Sequence, residues 1–215
     1  MATDSRLAGE AAARLVDAKH MMDQDRHRIG KPAIWPSAFI EYTFPFADGG
    51  RGVATDRVEY VPAELIIDAR WNESWDDPPT GSDAEILCDR LDQLARDRSV
   101  PDWAILVRVG TLPLWYAVEG KNRVAMYRAL GRPLLAEVRT TRHPDPHSLV
   151  VRGGDGIAGV THVESPTTVS PLPLPDAAVL LVAAGAATGP SICEQDSRRW
   201  DQRIQKRAAF LETPW

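Results

Sequence analysis

The chain has 215 residues, 44% of them hydrophobic and 26% charged, with a formal net charge of −5, the balance of an ordinary soluble globular protein. That acidic balance lacks the basic excess on which standalone duplex binding depends, so any nucleic-acid contact has to be local. Two widely separated cysteines, Cys88 and Cys193, exclude a disulfide scaffold or a structural zinc site and fit a reduced, cytoplasmic setting.

The first predicted element is a helix from Ser5 to about Arg28, with Leu7, Ala11, Leu15, Ala18 and Met22 at spacings of three and four. Asp4 and Glu10 interrupt any signal-peptide pattern there. Between Gly30 and Gly52, Pro32, Pro36, Pro45 and Gly49-Gly50 punctuate aromatic residues, and Phe39–Phe44 is read as a short strand. A strand at Val58–Tyr60 and a turn or brief helix at Pro62–Ile66 follow, then a polar, Trp-bearing surface loop from Asp68 to Pro79. Ser82-Asp83-Ala84-Glu85 is a capping box. It opens a helix whose apolar face is expected to be Ile86, Leu87, Leu91 and Leu94.

Ala104–Val109 and Leu114–Val118 read as a hairpin, followed by a helix over 121–130 ended by Gly131 and a strand at Leu134–Val138. Leu149–Val151 and Ile157–Val163 suit a second hairpin, and 165–176 is Pro-rich and extended. Ala177–Ala187, the longest apolar run, is a buried helix or a strand, and is half the length needed to cross a bilayer. Asp196 to Leu211 reads as a closing helix.

The chemistry concentrates at Glu119-Gly120-Lys121-Asn122-Arg123. A strand ends, glycine allows a sharp turn, and a helix begins whose first amides lack intrahelical partners. Such a terminus attracts anions. Lys121 and Arg123 add two cations, and a guanidinium can fork two hydrogen bonds to phosphate. Asn122 can donate or accept beside them. Glu119 could orient Arg123, hold a ribose hydroxyl or hold magnesium through water. The competing reading is an ordinary solvated strand-to-helix connection.

Residues 58–142 resemble the ParB/sulfiredoxin superfamily in motif and element order. Tyr60-Val61-Pro62 with Glu64-Leu65-Ile66, the helix 83–97, the hairpin 104–118, Gly120-Lys121-Asn122-Arg123, the helix ending in Gly131, and Leu134–Val138 follow that order. The resemblance implies an α+β fold, a compact mixed sheet with packed helices over 58–142. An N-terminal helix and aromatic-rich extension would occupy 1–57, and a C-terminal extension packed on the core would occupy 143–215.

It also implies that Gly120, Lys121, Asn122 and Arg123 hold the phosphates of ATP or another nucleoside triphosphate, with Arg70 as a second phosphate contact and magnesium as a candidate companion. Hydrolysis of phosphate esters would fall to Glu119, Lys121 and Arg123, with Glu119 as acid or base.

Two departures narrow this. Lys121 and Asn122 stand where sulfiredoxins carry a reactive cysteine and a histidine, which argues against their chemistry. Lys121 also replaces the glutamate of partition proteins, and no helix-turn-helix follows residue 142. Residues 143–190 hold one arginine, Arg152, against four acidic residues, a poor DNA-reading surface.

What the resemblance leaves is an NTPase, with nuclease action on a DNA backbone in a subgroup resembling plasmid fertility-inhibition proteins. A conjugation or partition protein is then a candidate partner. The alternative is a non-catalytic, nucleotide-dependent switch or interaction module of a mobile element.

Other residues carry weaker signals. Arg108, late in a hairpin strand, is a weaker candidate than Arg70 for a second phosphate contact, and Arg128 could extend the basic strip or be solvated. His143 and His147 read as a stiff surface turn rather than a metal site. Asp76-Asp77 reads as solvated rather than magnesium-binding. Trp71, Trp75, Trp103 and Trp115 suit packing, with base stacking as the alternative.

Overall fold

The structure, a computed structural model, describes residues 4–47, 53–68, 81–96, 104–153, 158–191, 204–205 and 211. Helix α1 spans Ser5–Arg28, as its periodicity predicts. Asp4 caps it, accepting from the Leu7 N–H at 3.0 Å. Its buried face is Ala8, Ala11, Ala12, Leu15 and Val16, and continues into Lys19, His20 and Asp23. The expected stripe is thus rotated, leaving Leu7 exposed. Alanines on that face bring α1 close to α5 (Pro175–Ala183), where Asp4 donates to the Ala183 carbonyl at 3.0 Å.

The predicted strand at Phe39–Phe44 is instead helix α2, Pro36–Thr43. Pro36 sits in the first turn, where its fixed φ suits a helix, and Pro36, Phe39, Ile40 and Thr43 face inward at helical spacing.

Strand β1 (Val53–Pro62) extends well beyond the expected three residues, and a 3-10 turn at Ala63–Leu65 leads into β2 (Ile66–Ile67). Helix α3 is Ser82–Arg96. The Glu85 N–H bonds the Gly81 carbonyl at 3.2 Å, so the cap is Gly81, one residue before the predicted one, and Ser82 is the first helical residue. Ile86 and Leu87, expected inside, are exposed, while Ala84, Cys88 and Asp92 are buried. The reason is the partner element: Tyr127 of α4 (Lys121–Ala129) donates to Asp92 Oδ1 at 2.6 Å and lies 3.1 Å from the Cys88 carbonyl. That contact selects the Cys88/Asp92 face.

The predicted hairpin forms as β3 (Ala104–Val109) and β4 (Trp115–Glu119), and β5 spans Pro133–Thr141. The five strands align in the order β1-β5-β3-β4-β2. β1/β5 and β3/β4 pair antiparallel, β3/β5 and β2/β4 parallel. Period-two alternation sends Leu106, Trp115 and Ala117 into a core under α3 and α4, and Val107, Val109 and Tyr116 into the core on the other face.

Beyond β5, strands β6 (Leu149–Arg152), β7 (Ala158–His162), β8 (Ser165–Leu172) and β9 (Ala187–Gly189) form a second sheet ordered β8-β7-β6-β9. The 165–176 segment therefore carries a strand, and the apolar run after it resolves into α5. Residues of α1, α2, α5 and both sheets share one apolar core. The chain is an α+β protein of five helices and two mixed sheets among the described residues. No described helix is long and apolar enough to cross a membrane. The Trp-bearing 69–80 loop with Arg70, Trp71, Trp75 and Asp76-Asp77, Gly49-Gly50, Trp103, the 154–156 turn, Cys193 and most of the predicted closing helix lie outside the described residues.

Candidate functional site

β4 delivers the chain to the turn, and Gly120 reverses it with φ +81°, a conformation that disfavours side chains. A Cβ at Gly120 would lie 2.8 Å from the Ala104 Cβ, so glycine is required twice over. As cap of α4 it supplies no side chain to the first-turn amides, which with the helix dipole leaves a local positive end. Val124 N–H returns to the Gly120 carbonyl at 3.1 Å, closing the first turn. At the far end Gly131 (φ +62°) and the bonds Gly131 N–H to Arg128 O and Arg132 N–H to Tyr127 O complete a Schellman stop.

Glu119 is exposed at the end of β4, and Lys121, Asn122 and Arg123 are half-buried on the first turn. The Lys121 ammonium lies 3.8 Å from the centre of the Trp35 ring, a cation–π contact. Burial pulls the Lys121 ammonium below the ordinary lysine range; Glu119 opposes this and Lys19 adds to it. The structure thus brings together Glu119, Gly120, Lys121, Asn122 and Arg123, while Arg70 lies outside the described residues.

Behind this turn lies a buried polar assembly that sequence reasoning missed. Lys19, fully buried, is paired with Asp23 on its own helix and donates to the Asp68 carbonyl at 2.8 Å. Asp23 Oδ1 accepts from the Ile34 N–H at 2.9 Å, which fixes the backbone beside Trp35. Asp68, expected on a surface loop, is fully buried and meets His20 Nε2 at 2.7 Å and Arg128 at 3.1 Å. Burial pushes the Asp68 carboxyl up, but the hydrogen bond from His20 and the Arg128 charge outweigh it and hold the group below the usual carboxylate range. His20 Nε2 stands between Asp68 Oδ1 at 2.7 Å and Arg128 Nη1 at 3.0 Å. Burial lowers Lys19 despite Asp23.

Arg128 is neither a basic strip nor a solvated side chain. Its guanidinium donates to the Ala63 carbonyl at 3.1 Å, to the Ile66 carbonyl and to Asp68. Lys19 and Arg128 against Asp23 and Asp68 balance, which is the condition under which buried charges are tolerated. The assembly ties α1, the end of β2, α4 and the Ile34–Trp35 segment together. One continuous chain of contacts, Arg128–Asp68–Lys19–Asp23–Ile34, therefore ends at the indole on which Lys121 rests.

The remaining candidates are structural. Arg108 donates to the Leu112 and Thr111 carbonyls, bracing its own hairpin turn, and covers Trp115, which is buried. His143 Nδ1 bonds the Pro144 carbonyl at 2.7 Å, its ring meets the edge of Phe44, and burial lowers its pKa. Gly185 packs against the His147 ring, leaving no room for a Cβ. Cys88 is a buried thiol. Among the described residues, no group of three or more His, Cys, Asp or Glu is arranged to hold a metal.

Comparison with protein-family models, curated proteins and solved structures found no match to this chain.

Proposed function

We propose that the chain binds a nucleoside triphosphate with its phosphates on the first turn of α4, and hydrolyses a phosphate ester there. The observation that carries this reading is the turn itself: a left-handed Gly120 at the end of β4 opens a helix whose cap has no side chain, with Lys121 and Arg123 on its first turn. The resemblance of residues 58–142 to the ParB/sulfiredoxin superfamily supports the nucleoside triphosphate as ligand.

In this reading the first-turn amides and Arg123 hold phosphate oxygens and offset charge that develops on them. Lys121 adds a second cation on the same turn. Glu119, exposed beside them, is the acid or base. Magnesium would arrive with the nucleotide, and the carboxylate able to meet it is that of Glu119. A DNA phosphodiester presents the same oxygens and is the second substrate class of this reading, in line with the fertility-inhibition subgroup and a conjugation or partition partner.

One observation favours a switch as the second reading. The Lys121 ammonium rests on Trp35, and Trp35 immediately precedes α2. A phosphate that draws Lys121 off the indole changes the surroundings of α2, so occupancy is transmitted without turnover.

Phosphate release from ATP and CTP, with and without magnesium, tests the enzyme. Turnover by the wild type that is abolished in Arg123→Ala, with an unchanged thermal midpoint, is the expected result. Tight binding without turnover would leave the switch, and no binding would remove both.

A further inference from the structure

A sheet edge presents unpaired N–H and C=O groups, and proteins guard it by shortening it, placing proline in it or bending it. Among the described residues three of the four edges are guarded. β2 has two residues and β9 three, and β8 carries Pro166 and Pro171. The fourth is β1, ten residues long, paired along one side to β5 and free of proline before Pro62.

β1 is also apolar where it is open. Val58 is 47% exposed and Tyr60 53%. On the alternate face stand Arg57, exposed, and Glu59, half-buried, and among the described residues neither is in an ion pair. The pairing with β5 is irregular between Ala54 and Arg57, so the regular edge begins at Arg57.

The order Arg57-Val58-Glu59 is self-complementary in the antiparallel sense. Pairing two copies about a twofold axis at Val58 sets Arg57 opposite Glu59 of the second copy, and Glu59 opposite its Arg57. Opposite charges directly across a ladder stabilise it, and like charges destabilise it. Moving the axis by one residue would set Arg57 against Arg57 or Glu59 against Glu59, so charge selects a single register. The same patch then serves both copies, as a closed twofold interface requires.

We propose that the outer edge of β1, from Arg57 to Val61, is a homodimer interface. It joins the five-stranded sheets of two copies into one continuous sheet, with Val58 meeting its twin and two reciprocal Arg57–Glu59 pairs on the opposite face. This inference is independent of the nucleotide site.

Sedimentation of the full-length chain from low to high micromolar concentration provides the test. The wild type forms a dimer. Arg57→Glu and Glu59→Arg each weaken it by about tenfold or more, since each turns two attractive cross-strand pairs into repulsive ones. The double variant Arg57→Glu/Glu59→Arg restores the opposite-charge pairs and recovers dimerisation. Thermal midpoints of all variants stay near the wild type, because both positions lie outside the core. A wild type that is monomeric throughout overturns the proposal, as does a dimer indifferent to the single reversals or one that the double exchange does not recover.

Discussion

Gly120 and Asp68 show the two ways in which single residues hold this site. At Gly120 the constraint is steric, combining a left-handed φ with contact to Ala104. Gly120→Ala is expected to cost about 1–3 kcal/mol through backbone strain, read as a lowered thermal midpoint. At Asp68 the constraint is electrostatic. Asp68→Asn leaves Arg128 and Lys19 short of a counter-charge, and the loss of a buried partner costs about 3–5 kcal/mol. The folded-state pKa of Asp68 lies below its unfolded value. Its contribution to stability is therefore complete above about pH 4 and lost as pH falls through the lower folded value. Denaturation curves across acid pH should show that loss in the wild type, and a flatter dependence in Asp68→Asn.

Gly120, Lys121, Asn122 and Arg123 were legible because a glycine and two cations at a strand-to-helix junction form a local pattern. Lys19 and Asp23 left a fainter trace: they continue inward the spacing of Ala8, Ala12, Leu15 and Val16, which places charge where the periodicity calls for apolar residues. Asp68 left none, since its partners are 48 and 60 residues away in sequence.

Among the elements, α1 and the β3–β4 hairpin follow directly from their sequence periods, as does the stretch from α4 to Gly131. Two misreadings have separate causes. At Phe39–Phe44 the run of aromatics suggested a strand, but Pro36 starts a helix and sets inward spacing from its first turn. For α3 the more apolar residues, Ile86 and Leu87, lost to a face chosen by hydrogen bonding, since Tyr127 and Arg132 both reach Asp92. Burial, followed by the hydrogen bond to Asp92, raises the Tyr127 hydroxyl far above its ordinary range, which favours the protonated, donating form. Tyr127→Phe removes that donor from a buried carboxylate and should destabilise by about 1–3 kcal/mol. Hydrogen exchange should locate the loosening in α3 and the C-terminal half of α4, with the first turn of α4 retained.

For the whole molecule, residues after 142 add a second sheet whose inner side chains, Leu149, Val151, Val160 and Leu172, enter the same core as α1, α2 and β3. The β6–β7 hairpin could be anticipated from its turn. The parallel β6–β9 pairing could not, because α5 separates its strands and no local pattern records it. A fragment ending at residue 142 strips one side of that shared core. It is expected to lose cooperative thermal unfolding, whereas the full chain unfolds in one transition; a cooperatively folded fragment would make the second sheet an independent unit.

The same core fixes α1, and through Lys19 and Asp23 it fixes Trp35 beside Lys121. Nucleotide binding is thus expected to depend on the intact fold as well as on the turn. The most direct measurement is titration calorimetry of ATP and CTP, with magnesium, into wild type and Arg123→Ala. A charge-assisted hydrogen bond of about 1.5–3 kcal/mol predicts at least about a tenfold loss of affinity in the variant. Absence of heat with either nucleotide, or equal affinity in both proteins, would contradict a phosphate site at the first turn of α4.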